Sequence, residues 1–199
     1  LMDQYAVLFG KKGNAFFLDC NDLSHKYIPI NLDGYSWVLI NSNIKHNLAV
    51  DSEYNKRRVS CENIVKQVQA YRPQVKSLRD ISKDDLVKVK NKVNEIDIQR
   101  AKYIIEENER VLQMMQELTA GDAIAVGNVL KDGHWAMSTE YEITTTELDH
   151  LVKIGEELDG VLGSRMMGGG FGGCTINLIE TKSLNESIKA LLRSYKNKT

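Results

Sequence analysis

"GSRMMGGGFGGCTINLIE", residues 163–180, places five glycines in the six positions from Gly168 to Gly173. Each glycine costs extra conformational entropy on folding, so the crowding needs a reason. Either the loop turns through dihedrals closed to other residues, or something must approach its main chain closely. Gly168, Gly170 and Gly173 satisfy G-x-G-x-x-G. The dinucleotide fingerprint of that form runs from a strand into a helix, whereas here a helical pattern lies upstream and a β-rich run, 175–179, lies downstream. The Walker phosphate loop needs a lysine after its last glycine, and Gly173 is followed by Cys174 and Thr175. What survives is a loop that admits close backbone approach and whose N–H groups can form or support an anion nest. On residue types alone a tight turn or packed glycine bulge in a structural hairpin is the slightly favoured reading.

Outward from this loop the pattern is mostly helical. Upstream, Thr144 and Glu147 have capping-box spacing, Leu148, Leu151, Val152 and Leu158 form an apolar stripe, and Gly160 ends the helix. A long helix is expected from Ile98 to Gly121, with another after Asp122. Tyr54, Cys61, Val65 and Val68 follow helical spacing behind Asp51 and Ser52, which can cap the start, and Pro73 bars extension past Arg72. A short helix over 84–93 and a last one from Ser183 complete the set. The first fifty residues read as strands: 5–9 and 15–18 flank the turn-rich Lys11 to Asn14 as a hairpin, and 37–40 is a buried strand opening onto a loop. The expected class is α+β, two-layer, with an antiparallel sheet packed by helices. A chain that opens at Leu1 inside a patterned run and stops after a helix reads as a piece of a longer protein.

The 199 residues are 42% hydrophobic and 27% charged, ordinary for a globular protein. A net charge of −1 leaves no electrostatic footprint for nucleic acid or anionic lipid. No apolar run approaches the roughly 20 residues that span a bilayer, and a cytoplasmic location is expected. Three cysteines and four scattered histidines make neither a disulfide framework nor a metal-ligand spacing, so no protein metal site is expected. Among single side chains, Asp3 sits in a strand pattern, where carboxylates are disfavoured, its plain reading being a solvated aspartate near a chain end. Tyr54 lies in the first turn of its helix, either facing a pocket mouth or half-buried in core. Lys56, Arg57 and Arg58 crowd that turn against the helix dipole and should have carboxylate or ligand partners. Lys45 and His46 follow the 37–40 strand, where ligand-contacting loops often begin.

Taken in order, "MDQYAVLFGKKGNAFFLDC", "INSNIKHNLAVDSEYNKRRVSCE", "SLRDI", "ENERVL", "TAGD", "EYEITTTELDHLV" and the glycine segment resemble the galactokinase family over nearly the whole chain. The glycine loop resembles the third motif of the wider sugar, homoserine and mevalonate kinase superfamily, and "MDQ" with "SEYNKRR" narrows the likeness to the galactokinase branch. The resemblance implies that Asp3 is the catalytic aspartate facing the anomeric hydroxyl of galactose, and that Tyr54 hydrogen-bonds the sugar. It also implies that Gly168, Gly169, Gly170, Phe171, Gly172 and Gly173 shape the active-site floor near the nucleotide phosphates. Residues 1–50 would then be a β-rich remnant of an N-terminal kinase domain and 51–199 the C-terminal domain of a two-domain sugar kinase. The substrates implied are galactose and ATP with Mg2+. The family's first motif and its serine-rich phosphate loop are not in this sequence, so the chain by itself is expected to be inactive. Met167 stands where the family usually has threonine, and "EITTTELD" replaces its usual cysteine-proline pair. An N-acetylgalactosamine kinase and a non-catalytic galactokinase-like sugar sensor are the alternative readings.

Overall fold

In a computed structural model, which describes residues 2–44 and 49–196, the glycine-rich segment joins two antiparallel strands, β4 (Val161–Met167) and β5 (Cys174–Glu180). Met167 lies opposite Cys174, so the loop is the turn of a hairpin. The strand upstream differs from the expected helix-to-loop passage. β4 has a single β-branched residue, Val161, and too little intrinsic preference to announce itself. It is made by its pairing with β5 and by the helices packed on it.

A third strand, β3 (Tyr35–Asn41), pairs antiparallel with the other side of β5, giving the order β3-β5-β4. Its centre is the strand expected at 37–40, but of that run only Ile40 is buried, and Leu39, pointing to the other side, is exposed. Helices α2 (Ala49–Gln69), α3 (Lys83–Val89), α4 (Glu95–Ala120), α5 (Ala123–Ala136), α6 (Thr146–Glu156) and α7 (Leu184–Lys196) occupy the rest. The α+β class, with antiparallel sheets packed by helices, is as expected. Leu118 of α4 and Val126 and Leu130 of α5 meet Leu178 on one face of the sheet. On the other, Leu151 and Ile154 of α6 and Leu191 of α7 meet Ile40. A separate cluster, including Ile64, Val68, Val89 and Ala101, binds α2, α3 and α4 together. Each such side chain, fully buried, contributes about 1.5–3 kcal/mol.

Helix α5 touches β4 backbone to backbone. A Cβ built on Gly163 would stand 2.2 Å from the Gly127 carbonyl oxygen, and one on Gly127 would stand 2.4 Å from that of Leu162. Small residues at both positions let the helix seat the hairpin directly, with no side chain between.

The N-terminus departs from expectation. Residues 5–9 belong to a helix, α1 (Met2–Phe9), not a strand. The run "YAVLF" is too short for periodicity to separate helix from strand. With no partner strand, local helical hydrogen bonds win, and the Gly10 N–H donates to the Ala6 carbonyl at 3.0 Å. Asp3 in the first turn also complements the helix dipole. The hairpin forms one element later, between β1 (Asn14–Leu18) and β2 (His25–Pro29).

Two caps shift. α2 already runs through Asp51 and Ser52, beginning at Ala49. Thr145, not Thr144, caps α6, accepting from the Leu148 N–H at 3.4 Å. Three successive threonines offer the same chemistry along the chain, and the fold selects Thr145. The caps at Asp122 for α5 and Gly121 for α4, the latter at φ +75°, are where the sequence puts them.

Candidate functional site

The hairpin turn accounts for four of its five glycines, and nothing in the fold requires the fifth, Gly169. φ is positive at Gly168 (+94°), Gly170 (+93°), Gly172 (+139°) and Gly173 (+92°), and also at Phe171 (+60°). On the inner side, the Phe171 N–H donates to the Ile143 carbonyl at 2.6 Å and the Gly173 N–H to that of Ile44 at 3.2 Å. The Gly173 carbonyl in turn accepts from the Ser42 N–H at 2.9 Å and the Ser42 hydroxyl at 2.7 Å. A Cβ at Gly170 would stand 2.4 Å from the Ile143 oxygen, and one at Gly172 would stand 2.6 Å from that of Ile44. The close approach inferred from sequence is therefore, at these two positions, to the protein's own carbonyls. The outer side is open. A Cβ at Gly168, Gly169 or Gly173 would meet nothing within 4 Å, and Gly168 and Gly169 are exposed. Among the described residues no backbone carbonyl takes the N–H groups of Gly169, Gly170 or Gly172. Such a turn is an anion nest in the making.

Ile143 is aimed at the loop by the way α5 ends. The helix continues into a π turn, Met137–Tyr141, and Glu142 closes it in the left-handed region at φ +57°. The Ile143 N–H then bonds back to the Met137 carbonyl at 3.2 Å, leaving its own carbonyl directed at Phe171. π turns recur at functional sites. Arg57, which is 5% exposed, clamps this corner. Its Nη2 donates to the Glu142 carbonyl at 2.6 Å, its Nε to the Tyr141 carbonyl at 3.2 Å, and its guanidinium carbon lies 5.2 Å from the centre of the Phe171 ring. The cation cluster found in sequence has the partners expected of it: Lys56 and Arg57 pair with Glu53, and Arg58 faces Glu62 at 3.7 Å.

Tyr54 stands one turn before Arg57 on α2 and is 60% exposed, so its hydroxyl-bearing ring faces outward, away from the helical core. Asp3 is exposed on α1 and takes part in no hydrogen bond or ion pair among the described residues. Its neighbour Met2 lines an apolar cavity of about 310 Å³ together with Met114, Met115 and Arg165. Arg165, three residues before the glycines, donates to Glu107 at 2.8 Å. The contacts thus bring the Tyr54 helix to the glycine loop, through Arg57, and do not join Asp3 to it. Lys45 and His46 lie outside the described residues.

The sequence reading missed His134. Fully buried, its Nδ1 accepts from the Met166 N–H at 3.1 Å, two residues before the loop, and its Nε2 faces Asp149 Oδ1 at 3.3 Å. Burial pushes the Asp149 carboxyl up, but hydrogen bonds from His134, Ser138 and Thr144 outweigh it and hold the group below its ordinary value. His134 and Asp149 are fifteen positions apart on different helices, a pairing no local spacing reveals. Among the described residues no group of three or more His, Cys, Asp or Glu side chains gathers to hold a metal. Nor is any described helix long and apolar enough to cross a membrane.

A glycine hairpin braced by α5 and exposed at Gly168 and Gly169 is the setting in which the relatives are informative. Residues 114–197 match the family described as GHMP kinases C terminal. The matched span takes in the last turns of α4, the π turn, β4, the glycine loop and β5. Over 200 aligned residues the chain is 40% identical to a galactokinase of Fusobacterium nucleatum, with 100% of this chain and 51% of that protein covered. It is 38% identical to a galactokinase of Thermotoga maritima, covering 98% and 53%. Its fold matches a crystal structure of Lactococcus lactis galactokinase complexed with galactose, with a TM-score of 0.89 and 32% identity over 98% of this chain and 50% of that one. The chain thus spans about half the length of the curated relatives it matches.

Proposed function

We propose that the protein this chain comes from is an ATP-dependent galactokinase that phosphorylates the anomeric hydroxyl of galactose. The observation that carries this is the likeness to galactokinases along the whole chain, in sequence and in fold, with the GHMP kinase domain supplying the glycine hairpin. In this reading residues 1–50 end the N-terminal domain and 51–199 form the C-terminal domain, β3 of the former joining the sheet of the latter.

Phosphoryl transfer asks a protein for positioning and charge stabilisation more than for covalent chemistry. Asp3 accepts the proton of the sugar hydroxyl as the oxygen attacks phosphorus, and its exposure on α1 leaves it free to face a sugar bound between this chain and the rest of the protein. Tyr54 orients the sugar through its hydroxyl. The open side of the glycine loop offers N–H groups to the phosphates without a lysine. Mg2+ and most nucleotide contacts come from outside this chain, because the sequence lacks the serine-rich phosphate loop. The working site is cytoplasmic, where ATP is supplied.

The test is phosphorylation of galactose by the full-length protein with ATP and Mg2+, set against Asp3→Ala. Formation of galactose 1-phosphate that falls by about 10²-fold or more in the variant is expected for loss of a general base. Undiminished turnover removes that role from Asp3, and turnover of N-acetylgalactosamine in preference to galactose replaces the substrate. The 199-residue chain alone should show no turnover.

A further inference from the structure

Among the described residues four that are not glycine have positive φ: Leu23, Asn43, Glu142 and Phe171. Left-handed backbone is a genuine outlier for a bulky residue such as Phe171, and it persists only where the surroundings over-determine it. Glu142 and Phe171 meet one and the same group, the Arg57 guanidinium, which binds the carbonyl of the first and lies over the ring of the second. Between them runs the 2.6 Å hydrogen bond from the Phe171 N–H to the Ile143 carbonyl.

We infer that Arg57 is a positioning residue that holds the glycine loop in its working conformation and ties it to the first turns of α2. The planar fork reaches two successive carbonyls at the end of the π turn, Tyr141 and Glu142, while its face is presented to Phe171. A lysine supplies the charge but neither the two-point grip nor the flat stacking surface. A third contact comes from within α2: Nη1 donates to the Glu53 carbonyl at 3.0 Å and pairs with its carboxylate. The guanidinium is therefore satisfied by α2 on one side and by the π turn and loop on the other. Because Tyr54 stands one turn away on the same helix, displacement of the loop and of this tyrosine is coupled through Arg57. That last step rests on the galactokinase reading; the positioning of the loop does not.

The experiment measures amide hydrogen exchange in the 199-residue chain for wild type and Arg57→Lys. Loss of charge-assisted hydrogen bonds, each about 1.5–3 kcal/mol, should speed exchange of the Phe171 and Gly173 amides by about tenfold or more beyond any uniform change at core amides such as those of Val68 and Ala101. Exchange that is unchanged at the loop, or raised by one common factor everywhere, overturns the proposal. If Arg57→Lys does not fold, Phe171→Leu, which leaves the hydrogen bonds of Arg57 in place, is judged by the same criterion at positions 171 and 173. In a full-length protein whose wild type phosphorylates galactose, Arg57→Lys should lower kcat by about tenfold or more with little change in KM for galactose; an unchanged kcat overturns the link to chemistry. A wild type that phosphorylates no sugar defeats the galactokinase reading and leaves the exchange result to decide the positioning role.

Discussion

Replacing Gly170 with alanine separates two reasons for a glycine that usually act together. At φ +93° any side chain incurs backbone strain of about 1–3 kcal/mol. Gly170 also faces the Ile143 oxygen, which a Cβ would approach to 2.4 Å. Real Cβ atoms do not come that close, so the carbonyl must retreat, and it is the acceptor of the N–H of the half-buried Phe171. Leaving that donor unsatisfied costs about 1–3 kcal/mol more, for a total of about 2–6 kcal/mol. Gly168 is the matched control, with nearly the same φ, +94°, and nothing within 4 Å of a built Cβ. Gly168→Ala should therefore cost only the strain, about 1–3 kcal/mol. Urea unfolding of the two variants measures the difference, provided the slopes agree with wild type. At this chain length the added cost for Gly170→Ala corresponds to a further loss of about 2–12 °C in Tm. If Gly168→Ala destabilises as much as Gly170→Ala, the approach of the Ile143 carbonyl is not what requires glycine there, and the account of the inner side of the loop fails.

Two further predictions concern the helical block. Asp85, 2% exposed, is pushed up by burial but held below its ordinary value overall by hydrogen bonds from Ser82 and Tyr71 and by the Arg72 charge. A carboxyl depressed in the folded state stabilises fully above its unfolded value, about 3.9, and that contribution is lost as pH falls through the folded value. Acid unfolding followed by circular dichroism should thus be shallower in Asp85→Asn than in wild type, and superimposable acid limbs would contradict this. Ile64, fully buried in the cluster that joins α2, α3 and α4, should cost about 2–5 kcal/mol when cut to alanine. Val59→Ala on the same helix, 47% exposed, should stay within about 0.5 kcal/mol.

Helical periodicity, the glycine stop at Gly121, the cap at Asp122 and the barrier at Pro73 were legible because each acts within a few residues along the chain, where short-range sterics and hydrogen bonds decide. The glycine loop announced itself for the same reason: only backbone freedom explains five such residues together. That residues 2–9 coil rather than extend was not legible, since an apolar run of that length suits helix and strand alike, and in the fold local hydrogen bonds settle it. Tertiary structure alone decided that "VLGSRMM" becomes a strand, because β5 and the Gly127–Gly163 contact supply what propensity lacks. The grip of Arg57 on Glu142 and Phe171, and the bond from Met166 to His134, join positions far apart in sequence. Their energy depends on distances of a few ångströms between elements, which no spacing along one chain encodes.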